Sequence, residues 1–250
     1  MQVGCLAFVC NTGRNPESEM RYHELLWQHR VQGIILGGGG MDTPEYRRIL
    51  GRQLQRCEQY GLRLVGLGPQ GLGMPAVTVD YAQVARTITE RLLAAGHRDI
   101  AFITGSRQVF TSQEHIAGYR APLESRGVAP QETLVLYGDF TEQAGYERCR
   151  HLLSGGRRFT ALCAGSDTIA IGVLHALNEA GLRVPDDVSV IGVGDIPPAR
   201  YMAPPLTTVR IPRYEMGVRA VEIATGEVPV PDHPVMLSPE LVERRSVRRI

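Results

Sequence analysis

The chain has 250 residues, 43% of them hydrophobic, with 27 basic against 26 acidic side chains. That length accommodates one large domain or two lobes with ample core, and the near-zero net charge excludes a broad electrostatic footprint for nucleic acid. Every basic residue is an arginine, and the five cysteines show no C-x-x-C spacing. The arginines are scattered among acids, a compositional bias rather than a phosphate-binding stripe. The thiols fit buried, reduced cysteines of a cytosolic protein better than a disulfide framework or a zinc site.

In chain order, the apolar run over residues 3–9 lacks the positive charge and cleavage site of a secretion signal. It is also far shorter than the roughly 18 residues that span a bilayer. It predicts a buried strand over residues 6–10, with Cys5 and Cys10 on opposite faces. Asn15-Pro16-Glu17 supplies a cap, a first-turn proline and an early acid for a helix to about residue 29, burying Met20, Leu25 and Leu26. A strand over 31–36 leads to four glycines. Thr43-Pro44-Glu45 then opens a helix that Gly61 stops, and short strands follow at 62–67 and 76–79. The helix at 82–95 buries Ala85, Ile88, Leu92 and Leu93. Beyond it the spacing predicts strand 100–104, helix 112–126, strand 134–137, and a Thr141-capped helix to residue 153. Strand 161–164, a Ser166-capped helix to residue 180, strand 188–193 and an extended stretch at 206–209 complete the series. Pro122 falls inside the 112–126 helix, where it predicts a kink that Gly118 eases. This βαβα alternation predicts an α/β fold with parallel sheets and helices on both faces.

Gly37, Gly38, Gly39 and Gly40 lie between a strand and a helix, where bare amides can cradle an anion. They match neither G-x-G-x-x-G with a suitable acid nor a P-loop, so a permissive loop at a pocket rim is the favoured reading. Asp80, Asp139, Asp167 and Asp195 recur near strand ends and helix starts. They read either as caps and turn formers or as the polar lining of a crevice at the carboxyl ends of the strands. Phe110 and Phe140 offer apolar faces there. Phe140, between Asp139 and Thr141, is the better stacking candidate, its alternative being a core residue. His115 could reach a ligand from the first turn of its helix, whereas His97 fixes a helix-to-strand turn. The seven histidines show no metal spacing, and no nucleophile–base–acid set can be singled out. No catalytic, metal or cofactor site is expected.

Several segments, in order, resemble the LacI/GalR family of bacterial transcription repressors. They are Gly96-His97-Arg98-Asp99 with the strand after it, Ala117-Gly118-Tyr119-Arg120, Gly138-Asp139-Phe140-Thr141, the run from Gly181 to Arg210, and Leu241-Val242-Glu243-Arg244-Arg245-Ser246. The resemblance covers almost the whole chain. It implies a periplasmic-binding-protein-like (type I) core of two Rossmann-like lobes joined by three crossovers. The N-terminal lobe would be 1–96 plus 211–236, incomplete at its start, and the C-terminal lobe 97–210 plus 237–250. The family's helix-turn-helix headpiece, its hinge helix and the first strand and helix of the first lobe are expected to be absent from this chain. Operator DNA would then be bound only through that headpiece.

The family's effector contacts carry over to Thr111, His115, Phe140, Ser166 and the turn before Asp195; Gly37, Phe110 and Asp167 complete the expected lining. Arg is frequent where His115 stands, and Asn or Gly where Ser166 stands. The family's frequent Gly-aromatic-Asp-Asp turn appears here as Gly192-Val193-Gly194-Asp195, without its first carboxylate, a common ligand acceptor. The implied function is effector sensing, for a sugar or other small polar metabolite, by a cytoplasmic, homodimeric, non-enzymatic regulator with no membrane association. The alternative is a solute-binding protein of a transport system. A small-molecule enzyme on a Rossmann-like fold is the third reading.

Overall fold

Five helices begin at a side chain that accepts a hydrogen bond from an amide of their own first turn, the local signal that sets where each starts. In the computed structural model, which describes residues 4–13, 15–156 and 158–250, Asn15 caps α1 (Pro16–Gln28) through Ser18 N–H at 2.9 Å. Thr43 caps α2 (Pro44–Gln59) through Tyr46 N–H at 3.1 Å. With these helices the first lobe carries β1 (Gly33–Gly37), β2 (Arg63–Leu67) and β3 (Ala76–Thr78). The strands run parallel in the order β1-β2-β3, and β9 (Val235–Met236) adds to β3. Ile34, Tyr46, Leu50, Leu64 and Met74 form the core on the α1/α2 side. Helix α7 (Arg213–Thr225) packs on the same sheet.

The second lobe holds α3 (Tyr81–Ala94), β4 (Ile100–Thr104), α4 (Phe110–Ser125), β5 (Val135–Tyr137), α5 (Glu142–Ser154), β6 (Ala161–Ala164) and α6 (Asp167–Glu179). It continues with β7 (Ser189–Gly194) and β8 (Thr207–Arg210), and closes with β10 (Glu240–Val242). The sheet order is β10-β8-β7-β6-β4-β5, parallel except for β10, which runs antiparallel to β8. Period-two alternation divides the strands between two helical layers. Ile100, Phe102, Ala161 and Cys163 face the core that includes Ile88 of α3 and Tyr119 of α4. Ala101, Ile103, Leu162 and Ala164 face the core that includes Leu152 of α5 and Val173 of α6. The chain passes between the lobes three times, at β3 to α3, β8 to α7, and β9 to β10.

Four expectations need correction. Residues 6–10 form no strand: Leu6 and Val9 are 93% and 96% exposed, and a cavity of about 1190 Å³ separates this segment from the unpaired edge of β1. A strand needs a neighbour at about 4.8 Å to satisfy its amides, and among the described residues none pairs with this segment. Val3 lies outside the described residues. For the same reason Cys5 is exposed and Cys10 half-buried, while Cys57, Cys149 and Cys163 are buried as expected. On α1, Met20 and Leu25 are exposed and only Leu26 is half-buried; among the described residues the helix packs chiefly on α2 and leaves that face outward. Finally, α3 packs on α4 and on β6–β8, so its buried Ala85, Ile88, Leu92 and Leu93 belong to the second lobe. Helix α4 runs unbroken through Pro122, and Gly118 serves a close approach: a Cβ there would collide with Ala82 O of α3.

Candidate functional site

The carboxyl ends of β4, β5 and β6 and the helices that follow them converge beside the first lobe. Thr111 stands in the first turn of α4, whose cap position is Val109, a residue without a side-chain acceptor. Phe140 lies between β5 and Thr141, the cap of α5. Ser166 caps α6 by accepting Ile169 N–H at 3.1 Å. These three residues, with Gly38 and Gly39 of the first lobe and Arg213 at the start of α7, line a cavity of about 290 Å³ between the lobes. The lobes touch directly beside it: Phe110 N–H donates to Gly40 O at 3.1 Å, and Met41 forms an antiparallel bridge with Val109. The larger cavity along β1 shares Gly39 and Phe140 with this one. It lies along the bare edge of β1 and, among the described residues, takes only one helix start from the second lobe, that of α5 at Thr141.

The other sequence candidates sit around the cavity rather than in it. Gly37 lines the larger space. The Phe110 ring packs over Gly71, where a Cβ would lie 3.1 Å from it, so its role is contact between lobes. His115 is fully buried; its Nδ1 hydrogen-bonds with Thr104 Oγ1 at 3.2 Å, and among the described residues its Nε2 has no partner. Desolvation lowers its pKa to about 4, so the ring is neutral at pH 7. It lies edge-on to Tyr81 and Phe140, with centroids at 5.6 and 6.4 Å, and supports the aromatic wall from behind.

Both candidate carboxylates are turned inward. Asp167 is fully buried and accepts from Thr208 Oγ1 at 2.6 Å and Ile196 N–H at 2.9 Å; burial is the main cause of its raised pKa. Asp195, in the left-handed region at φ 51°, accepts from Arg244 at 2.6 Å and Arg210 at 2.8 Å. Burial works to raise its pKa, and the hydrogen bonds from Arg244 and Arg210 outweigh it, holding the carboxyl below its ordinary value.

Arg213 is the residue the sequence reading missed. Its Nη1 donates to Gly194 O at 2.9 Å, and a Cβ on Gly194 would collide with its Nη2. Gly194, at φ 137°, is therefore required both for the turn and for the guanidinium. The available signal was position: Arg213 follows the β8 crossover, and crossovers lie beside an inter-lobe cleft. Tyr81 and Met216 join the lining by the same route. Among the described residues no three His, Cys, Asp or Glu side chains form a group able to hold a metal ion, and no helix is long and apolar enough to cross a membrane.

Residues 89–247 match the family of periplasmic binding protein-like domains. The HTH-type transcriptional repressor PurR of Edwardsiella ictaluri is 31% identical over 98% of this chain and 71% of its own length. This chain is an effector-binding domain of the LacI/GalR regulator family. Among solved structures, the transcription regulator CcpA of Lactococcus lactis superposes with a TM-score of 0.83 at 27% identity, covering 95% of this chain and 86% of its own. A complex of the transcriptional regulator CelR with cellobiose gives 0.77 at 32% identity, covering 92% of this chain and 70% of its own. The α/β architecture with two parallel-stranded lobes is that of the LacI-family relatives.

Proposed function

We propose that the 290 Å³ cavity is the effector site of a non-enzymatic, cytoplasmic regulator, and that its ligand is a sugar or other small polar metabolite. The observation that carries this reading is the meeting of Thr111, Phe140 and Ser166 from one lobe with Gly38 and Gly39 from the other. A ligand touching both lobes shifts their relative arrangement by its differential affinity for the two states. The volume is at the small end of ligand pockets, suited to one sugar ring rather than two. Phe140 supplies the apolar face, and Thr111 and Ser166 supply hydroxyls.

The lobes would comprise residues 4–79 with 211–236, and 80–210 with 237–250. The regulator would act as a homodimer and reach operator DNA through a helix-turn-helix headpiece outside this chain. A solute-binding role in transport uses the same fold; identity to a repressor along nearly the whole chain favours regulation.

Calorimetric titration with pentoses, hexoses and cellobiose tests the site. A single-ring sugar should bind, and Phe140→Ala should weaken it about tenfold or more through loss of the stacking face. Binding indifferent to both Phe140→Ala and Thr111→Val would place the effector elsewhere.

A further inference from the structure

We infer that the cleft selects an effector bearing an anionic oxygen group, a carboxylate or a phosphate ester, and that Arg213 receives it. The inference rests on the effector-site reading above and adds the charge of the ligand to it.

The acceptors that would favour a neutral polyol are occupied. Each oxygen of Asp167 already accepts, one from Thr208 and one from Ile196 N–H. Each oxygen of Asp195 accepts from its own arginine, Arg244 or Arg210. Neither carboxylate lines the cavity. A sugar hydroxyl seeking a carboxylate acceptor would have to displace one of these internal bonds.

Donors, by contrast, are left over. The exposed Arg213 guanidinium spends Nη1 on Gly194 O, while its Nη2 and Nε have no acceptor among the described residues. The amides of Gly39 and Thr111 likewise donate to none of the described residues. Thr111 N–H belongs to the open first turn of α4, where the helix carries partial positive charge. Ser166 Oγ accepts from Ile169 N–H as a cap, so its own proton is free to donate.

The sign of the site therefore turns on one position. Where the resembling family often has a carboxylate, this chain has Gly194, and the vacated space holds the Arg213 Nη2. Among nearby acids, Asp167 interacts electrostatically with Arg213 while both of its oxygens are already engaged, and Asp80 accepts Gln83 N–H as the cap of α3 at 2.7 Å. Glu114 lies near Tyr81 with its pKa raised chiefly by burial. Asp139 lines only the larger cavity. The result is a pocket in which donors outnumber free acceptors around a planar guanidinium, the geometry that suits bidentate recognition of carboxylate or phosphate.

The test is calorimetry on the whole chain with matched probes: glucose against gluconate and glucose 6-phosphate, ribose against ribose 5-phosphate, and inorganic phosphate alone. At least one anionic probe should bind about tenfold or more tightly than its neutral partner, and the advantage should shrink with added salt. Arg213→Gln should remove that advantage, Arg213→Lys should restore part of it, and both should leave the melting temperature unchanged. Gluconate and the phosphate esters separate the two anion chemistries. Equal or tighter binding of the neutral partners, no anion binding at millimolar concentration, or an advantage that survives Arg213→Gln would each overturn the anionic assignment. Neutral-sugar binding that still depends on Phe140 would in that case leave the effector site standing.

Discussion

In the second lobe, β4, β6 and β7 are buried along their whole length, with α3/α4 on one face and α5/α6 on the other. In the first lobe, β1 is paired on one side only among the described residues, and α1 leaves Met20 and Leu25 exposed. The lobes share one alternating plan and differ in closure. A closed sheet concentrates stability in helix-to-helix contact, while an open edge leaves amides and apolar surface to water. The cleft lies where the two meet, so its Thr111, Phe140 and Ser166 rest on the closed lobe, and Gly38 and Gly39 on the open one.

The largest expected effect attacks the closed lobe at its tightest point. Gly172 of α6 lies so close to α5 that a Cβ would collide with Glu142 O and come within 2.6 Å of Tyr146 N. The obstacle is backbone, so Gly172→Ala must push two helices apart. Such overpacking should cost about 3 kcal/mol, lowering Tm by roughly 6–12 °C for a chain of this size. A loss under about 1 kcal/mol would mean that the α5/α6 layer yields easily, and the contrast between the lobes would fail.

Much of this architecture is legible in the sequence because its signals are local. The caps Asn15, Thr43, Thr141 and Ser166 mark helix starts from a few neighbouring residues, and β4 and β6 fall on the residues their apolar runs predict. What fails is what depends on a distant partner. Residues 6–10 have strand composition but no strand to pair with. The apolar stripe of α3 shows that one face is buried, yet not which sheet buries it. In the cleft, Phe140 could be read from its place after a strand, whereas Thr111 and Ser166 were named only through the family resemblance; all three line the cavity. Asp195 looked like a ligand acceptor until its partner Arg244, 49 residues away, was in place. Arg213 was invisible for the same reason, since only the folded crossover brings it beside Gly194.

Acid provides a second, smaller probe. His23 in α1 and His115 in α4 both have pKa values lowered by desolvation from 6.5 to about 4. Between those values the unfolded chain holds a proton that the folded chain does not, so stability is fully present above about pH 6.5 and falls as pH drops toward 4. At pH 5 each histidine should cost about 2 kcal/mol. The lobes separate in this experiment because the chain's single tryptophan, Trp27, is on α1 with His23. If the first lobe is the weaker, Trp27 fluorescence should change on acidification before the far-ultraviolet circular dichroism does. His23→Gln should delay the first signal, and His115→Gln only the second. Coincident transitions would show that the lobes unfold as one unit.

The smallest effect runs in the opposite direction. Gly51 lies inside α2, and a Cβ there meets only Leu72 Cδ1, at 3.8 Å, an ordinary contact. Gly51→Ala removes the backbone freedom a helical glycine gives the unfolded chain and introduces no collision, a gain of about 0.5–1 kcal/mol. The same substitution chemistry thus has opposite signs at Gly172 and Gly51, because one glycine separates two backbones and the other separates nothing. Where that gain appears is the sharper result. If the open lobe melts first, Gly51→Ala should raise the midpoint reported by Trp27 in urea and leave the later transition of the six-stranded lobe where it was. A gain spread equally over both signals would mean that the lobe contacts around Met41 and Val109 bind the two sheets into a single cooperative unit.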